Sequence, residues 1–228
     1  MPTESAEPGL LLFDEPASSQ AEQAYRELLE EIVSLRCAPG EVLVEDALRN
    51  RLSLGRTPIR EALQRLAVQR LVTIIPRRGV IVSEINIGDL REIFEVRSPL
   101  EGVAAGLAAR HSHGRDLPAG VAADLAAIAG TQDFLGLVAV DHRLHHAIHK
   151  LACNSYLLTT LDWYLTLSIR LVIAAGRRLP APPAHELAET MRDFEGLFAA
   201  IAAGDEKTAT ELARRHAGFS EQLLRRVV

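Results

Sequence analysis

The chain has few cysteines, few aromatic residues and no overall surplus of basic residues. Its 228 residues include two cysteines and 4% aromatics, 48% are hydrophobic, and the formal net charge is −5. Two distant cysteines, Cys37 and Cys153, make no disulfide framework, which is typical of a reducing cytoplasm. The N-terminus lacks the basic start and apolar stretch of a secretory signal, and no later apolar run approaches the length of a membrane span. We therefore expect a cytoplasmic protein with an ordinary apolar core and no membrane partner.

The positive charge of this acidic chain is concentrated in one segment. Eight arginines lie between Arg49 and Arg78, where the only acid is Glu61. A basic block within an acidic chain is typical of a phosphate-binding module joined to a part that does not bind phosphate. The length of the chain suggests two domains. We therefore expect a nucleic-acid-binding domain near the N-terminus.

The first 85 residues predict a helix, a second helix, a turn, a third helix and a two-stranded hairpin. Residues 1–19 lack sustained periodicity and predict a flexible tail. Apolar spacing predicts helices over 20–36 and 45–52, and a third helix that begins near Pro58 with Thr57 as its N-cap. Two β-rich runs, 71–75 and 80–83, are joined by turn residues 76–79. This order predicts a winged helix-turn-helix domain over 20–85.

Candidate DNA contacts lie at the start of the third helix and at the hairpin tip. The second helix of a helix-turn-helix enters the major groove, with its first residues at the base edges. Arginine donates two hydrogen bonds to guanine, and threonine or helix N-terminal amides suit a phosphate. The hairpin tip suits a flanking minor groove or a phosphate, although any single arginine is as consistent with a solvated surface. The candidates are Arg56, Thr57 and Arg60 on the helix, and Arg77, Arg78 and Gly79 at the tip.

Residues 86–228 predict an all-helical domain. From Ile87 onward the sequence carries Ala- and Leu-rich helical patterns without strand signals, and its breaks delimit about six helices. Such helices pack as an antiparallel bundle. The predicted fold class is mainly α, with a winged helix-turn-helix followed by a helical bundle.

Three segments of the first domain resemble the winged helix of the GntR family of bacterial regulators. They are A-P-G-E-V-L-V-E from Ala38, G-R-T-P-I-R-E-A-L-Q-R-L from Gly55 and P-R-R-G-V-I-V from Pro76, and the resemblance covers residues 24–83. It implies a transcription regulator, expected to be a repressor, that binds a near-palindromic double-stranded DNA operator as a homodimer. Three positions depart from the family: Gly55 replaces Ser or Thr, Arg70 replaces Gly, and Asp46 stands where Arg is frequent.

Residues 87–226 resemble the all-helical FCD effector domain of the FadR-type subgroup. The resemblance implies a small-molecule effector, expected to be a carboxylate, and an Arg97 side chain that faces the pocket; Arg170, in mid-helix, is a second candidate. An ion pair between Arg97 and Glu101 at i+4 is equally consistent with the sequence. The residues that carry the resemblance are Glu95, Val96, Arg97, Glu101, the segments 141–149 and 201–205, Asn154, and 214–216.

The same resemblance implies a divalent metal site. Many members with this pattern use one Asp and three His, and here Asp141, His145 and His216 match three positions while Phe194 stands at the fourth. Three such ligands suit Zn, Ni or Mn, with water or effector at the open positions. Alternatively, Phe194 fills the space and the pocket holds an organic ligand without metal. His149 continues the Asp141–His145 stripe as a substitute ligand, whereas His142 and His146 are expected at the surface or an interface.

Two other functions fit parts of the sequence. A metal-dependent hydrolase could use Asp141, His145 and His216, but the sequence has no adjacent glutamate such as that of His-Glu-x-x-His, and the basic segment would stay unexplained. An interaction module without DNA binding would be favoured if Arg56 and Arg60 could be replaced without loss of operator binding. We therefore favour a regulator that is not an enzyme.

Overall fold

The structure is a computed structural model that describes residues 12–13, 16–77, 79–86, 88–130, 134–176 and 184–225. Its backbone contacts divide the chain into two compact units, Met1–Ile85 and Asn86–Val228. Among the described residues there are nine helices and one three-stranded antiparallel sheet. The predicted mainly helical fold class is confirmed.

The N-terminal unit is built on three helices, α1 (Gln20–Val33), α2 (Glu45–Leu52) and α3 (Arg56–Val68). The Oγ atom of Ser19 accepts a hydrogen bond from the Glu22 amide at 3.1 Å, which caps the start of α1. The apolar stripe of α1 packs against that of α3, and removal of these side chains from water is the main force that holds the pair together. Fully buried members are Leu28, Ile32, Ile59 and Leu66.

Helix α3 begins at Arg56, with Gly55 as its N-cap, so the prediction of Thr57 as N-cap is wrong. Pro58 is therefore the third residue of the helix rather than the first. Proline is tolerated there because the first four amides of a helix have no partner within the helix. Arg56 and Thr57 consequently lie in the first turn of α3.

The hairpin gains a third strand that the sequence analysis missed. Strands β2 (Val72–Ile75) and β3 (Gly79–Val82) form the predicted hairpin, and β1 (Val42–Leu43) pairs with the other edge of β3. The sheet order is β1-β3-β2. Two residues are too few for an alternating pattern, so β1 could not be predicted from periodicity.

The predicted flexible tail is partly docked. Leu12 is 4% exposed, and the Phe13 ring lies 4.7 Å from the guanidinium carbon of Arg26 on α1. Leu12 and Phe13 therefore pack against the N-terminal unit.

The C-terminal unit contains six helices among its described residues, as its sequence predicts. They are α4 (Gly88–Ser112), α5 (Ala119–Gly130), α6 (Phe134–Leu151), α7 (Ser155–Gly176), α8 (Ala184–Ala203) and α9 (Glu206–Arg225). Helix α4 contacts α6, α7, α8 and α9. It therefore places its side chains at the centre of this unit.

Small residues allow α4 and α9 to approach closely. A β-carbon at Gly106 would lie 2.7 Å from Thr210 Oγ1, and Ala105 and Ala109 on α4 are fully buried with Ala213 on α9. This close approach brings the polar residues of α4 and α9 into one region of the bundle.

Among the described residues, α7 is the one helix that is long and apolar enough to cross a membrane, which the sequence analysis did not expect. Half of its most apolar window is buried inside the protein. Core helices of soluble proteins are often as long and as apolar, so length and composition alone do not identify α7 as a membrane span.

Candidate functional site

The first two turns of α3 present their polar side chains to solvent. The side chains of Arg56 and Arg60 are 57% and 56% exposed, and Thr57 is also exposed. Ile59 and Leu63 lie on the opposite, buried face of the helix. The three candidates of this helix are thus available to a ligand, and none is buried in the core.

Two acids of α2 lie beside these arginines. Arg60 Nε is 3.0 Å from Glu45 Oε2, and Arg56 Nη2 is 3.7 Å from Asp46 Oδ1. Asp46 also receives a hydrogen bond from Arg49 at 3.0 Å. Each pair is largely solvated, so an anion can replace the carboxylate at low cost.

The hairpin tip also faces solvent. Arg77 and Gly79 are exposed and have positive φ angles of 65° and 101°, a conformation that glycine adopts without strain. Arg78, the other candidate at this tip, lies outside the described residues. The exposed tip leaves Arg77 available for a phosphate or a groove.

Other arginines of the basic segment bind within the N-terminal unit. Arg51 donates to Glu31 at 2.5 Å, and Arg65 donates to Glu22 at 2.5 Å while its guanidinium carbon lies 3.7 Å from the Tyr25 ring centroid. These pairs join α1 to α2 and to α3. Charge density alone could not separate them from residues free to bind DNA.

A second group of polar residues is buried in the C-terminal unit. Arg97 is 2% exposed and Glu101 is fully buried, and Arg97 Nε donates to Glu101 Oε1 at 2.9 Å. Arg97 Nη2 is buried without a hydrogen-bond partner. Arg97 therefore combines the predicted i+4 ion pair with a spare donor, and Arg170 on α7 is also buried.

Asp141 and His145 on α6 meet His216 on α9. His216 Nε2 lies 3.1 Å from Asp141 Oδ1, and His145 Nε2 lies 3.9 Å from the same oxygen. One ligand atom from each of the three residues falls within 4.8 Å of the others. The structure thus brings together the three residues that the sequence analysis proposed for a metal.

Glu101 orients His145 toward Asp141. His145 Nδ1 lies 3.1 Å from Glu101 Oε2, while the buried Nε2 has no hydrogen-bond partner. With a carboxylate on one side, Nδ1 is the protonated nitrogen of the neutral ring, so Nε2 carries a lone pair. A carboxylate that holds the outer N–H of a histidine is the usual arrangement around metal ligands.

Phe194 on α8 packs directly against this group. Its ring centroid lies 4.1 Å from that of His216 and 5.5 Å from that of His145. The side chain is 1% exposed, so it occupies the side of the histidines where the family resemblance places a fourth ligand.

Asp162 on α7 pairs with two histidines of α6, a contact that the sequence does not predict. His149 Nδ1 lies 2.8 Å from Asp162 Oδ1, and His149 Nε2 lies 3.0 Å from Glu101 Oε2. His146 Nδ1 lies 3.1 Å from the same Asp162 atom. The spacing of the histidines within α6 can be read from the sequence, but their acidic partner lies on another helix and cannot.

His142, expected at the surface or an interface, is 7% exposed in this chain, so the expectation of surface exposure is wrong.

The acids in this group are held ionised by their neighbours. Burial opposes ionisation of Asp141, but His145 and His216 lower its pKa to about 2. Burial likewise opposes charge on Glu101, yet His145, His149 and Arg97 hold its pKa well below the usual range. Burial opposes charge on His149, whereas Glu101 and Asp162 raise its pKa to about 9. Burial, together with the neighbouring His146, lowers the pKa of His142 to about 3.

Family models match both units of the chain. Residues 20–82 match the model described as bacterial regulatory proteins, gntR family, and residues 92–219 match the FCD domain. The second match covers more than half of the chain.

Individual relatives agree with these matches. The HTH-type transcriptional repressor GlaR of Escherichia coli K12 is 30% identical over 200 residues, which are 84% of this chain and 90% of that protein. The repressor RspR of the same organism is 35% identical over 94 residues, 41% of each chain.

Solved structures share the fold. Escherichia coli McbR/YncC has a TM-score of 0.79 at 22% identity and covers 91% of this chain and 98% of its own. A GntR-type regulator from Rhodococcus sp. RHA1 has a TM-score of 0.68 at 24% identity over 91% of this chain and 98% of its own. The relatives are regulators, which leaves the hydrolase alternative without support. The chain belongs to the GntR family, with an FCD domain, and is a DNA-binding transcription regulator rather than an enzyme.

Proposed function

We propose that the chain is a cytoplasmic, homodimeric repressor that leaves a near-palindromic operator when a small carboxylate binds its C-terminal unit. The observation that supports DNA binding is the exposure of Arg56 and Arg60, whose side chains are both more than half exposed in the first two turns of α3. A repressor role is supported by the naming of GlaR, which aligns with most of this chain.

DNA binding would exchange carboxylate partners for DNA. Arg60 would leave Glu45 and donate to a guanine edge or a phosphate. Arg56 would likewise leave Asp46 and donate to the DNA. Thr57 and the free amides of the first turn of α3 suit a phosphate oxygen. Arg77, Arg78 and Gly79 at the hairpin tip would contact the flanking backbone or minor groove.

Effector binding would use the buried guanidiniums of the C-terminal unit. Arg97 Nη2 is a buried donor without an acceptor, and such a group costs free energy until a partner is supplied. A carboxylate oxygen is the partner that guanidinium binds most strongly. Arg170 is proposed as a second contact for the same ligand.

A divalent metal fits the residues beside Arg97. The buried, unpartnered Nε2 of His145 faces Asp141, and Glu101 holds its other nitrogen. Asp141, His145 and His216 would hold Zn, Ni or Mn. The metal would supply an electrophilic centre for a carboxylate oxygen of the effector. Because the Phe194 side chain has no ligand atom, this site would have three protein ligands.

The DNA proposal is tested by fluorescence anisotropy with the DNA upstream of the protein's own gene. Arg60→Ala is expected to weaken operator binding by about 1–3 kcal/mol if it reads a base, and Arg56→Ala to weaken it as well. Arg91→Ala is the control, because the Arg91 side chain is also exposed and paired with an acid but lies on α4. Operator binding that survives the double replacement of Arg56 and Arg60 would instead favour an interaction module.

A further inference from the structure

Where α6 packs against α7, two histidines of α6 meet one aspartate of α7. His149 Nδ1 lies 2.8 Å from Asp162 Oδ1, and His146 Nδ1 lies 3.0 Å from Asp162 Oδ2. The two histidines are three residues apart on α6, so they share one face of the helix. Neither Asp141 nor His216 belongs to this group.

The proton count of His149 leaves room for a cation. Both of its ring nitrogens face carboxylate oxygens, Nδ1 toward Asp162 and Nε2 toward Glu101 at 3.0 Å. A neutral imidazole has one N–H, so one nitrogen would present a lone pair to a carboxylate. Either a second proton or a metal ion between Nδ1 and Asp162 removes this repulsion.

We propose that His146, His149 and Asp162 form a second site for a divalent transition metal, distinct from the Asp141, His145 and His216 group. One ligand atom from each residue lies within 4.8 Å of the others. Two imidazoles and one carboxylate are the ligands preferred by Zn, Ni, Co and Cu, whereas Mg and Ca prefer oxygen alone.

Glu101 serves this site as the outer carboxylate. With a metal bound, Glu101 would accept the Nε2–H of His149 across the 3.0 Å contact. The metal would replace the proton on Nδ1, and Nδ1 would then offer its lone pair, as is usual for metal-binding histidines. The same Oε2 atom faces His145 Nδ1 at 3.1 Å. One buried carboxylate thus orients a histidine in each group.

The site is reachable from solvent. His149 is buried, but the side chains of His146 and Asp162 are 34% and 33% exposed. An ion can enter along this face, and water can complete its coordination, as in sites with three protein ligands. A third group, Glu101 with His145 and His149, is wholly buried, so none of its three side chains is exposed to an ion in solution.

The experiment counts the metal ions bound by the full chain. Apo protein is titrated with Co²⁺, followed by visible absorption, and with Zn²⁺, followed by calorimetry. Wild type is expected to bind one more equivalent per chain than the double variant His146→Gln/Asp162→Asn. The variant Asp141→Asn/His216→Gln is expected to retain that equivalent, so the result is independent of any metal at Asp141.

The control is His113→Gln, which replaces an exposed histidine that belongs to no candidate group. This variant is expected to bind the same number of metal ions per chain as wild type. Circular dichroism checks folding, and if the double variant unfolds, the partly exposed His146→Gln alone replaces it in the comparison. If wild type and His146→Gln/Asp162→Asn bind the same number of metal ions per chain, the second site is refuted. The positive charge at His149 is then that of a second ring proton.

Discussion

The Nε atom of Arg60 on α3 lies 3.0 Å from Oε2 of Glu45 on α2, so an acid of the neighbouring helix pairs with this exposed arginine. In the proposed complex with DNA, Arg60 must leave Glu45. Exposed pairs of this kind contribute less than about 1 kcal/mol, which makes the exchange inexpensive but measurable.

Glu45→Gln is therefore expected to tighten operator binding by about two- to fivefold, because Arg60 no longer has to leave a carboxylate and one negative charge is removed from the DNA face. Fluorescence anisotropy at fixed salt measures the change. Glu95→Gln is the matched control, since Glu95 pairs with Arg91 at the same 3.0 Å on α4. Unchanged binding in Glu45→Gln would mean that Glu45 does not compete with DNA for Arg60, and weaker binding would mean that Glu45 itself contributes to recognition.

Arg70 ends α3 in a conformation that suits glycine. Its φ angle is 62°, and the amides of Arg70 and Leu71 bond to the carbonyls of Ala67 and Leu66 at 3.0 Å each, which is the Schellman pattern. Arg70→Gly is expected to raise the free energy of unfolding by about 1 kcal/mol, because the β-carbon strain is relieved. Urea denaturation measures it. Arg70→Ala removes the charge but keeps the β-carbon, so equal stability of the two variants would refute the strain argument.

Phe194 is expected to limit the affinity for metal at Asp141, His145 and His216. Phe194→His would supply a fourth ligand beside His216 and is expected to tighten Zn²⁺ or Ni²⁺ binding by about tenfold or more. Competition with a chromophoric chelator measures the affinity. Phe198→His is the matched control, because Phe198 is equally buried on α8 but its ring lies 6.5 Å from that of Phe194. Equal affinities in both variants would place the metal elsewhere.

Glu22 is expected to make the N-terminal unit sensitive to acid. Burial opposes its charge, but hydrogen bonds from Arg65 and Arg26 lower the pKa of Glu22 below its ordinary value of 4.5. A lowered folded pKa stabilises the fold above the ordinary value, and that stabilisation is lost as the pH falls through the folded pKa.

Glu22→Gln is therefore expected to cost up to about 1 kcal/mol at neutral pH, with a difference from wild type that shrinks below pH 4.5. Thermal unfolding across pH measures it. Glu27→Gln is the control, because Glu27 on the same helix accepts its bond from the uncharged Gln23. A difference that does not change with pH would mean that packing, and not charge, accounts for the effect.

Local signals were sufficient for most helices and for the hairpin. The 3.6-residue spacing of Leu28, Ile32 and their neighbours predicts α1, and the turn residues 76–79 predict the hairpin, since both depend on residues close in sequence. Errors arose where the signal was short or concerned an exact end. Strand β1 has two residues, and the cap of α3 is Gly55 rather than Thr57.

The sequence alone therefore determined the family, the fold class and the identity of Asp141, His145 and His216 as neighbours, the last through the family resemblance. The side-chain partners that come from other helices could not be predicted from the sequence. Asp162 meets His146 and His149 across α6 and α7, and Glu101 on α4 joins His145 to His149. Such pairings depend on how helices pack against one another, because periodicity shows which face of a helix is buried but not which residue of another helix it meets.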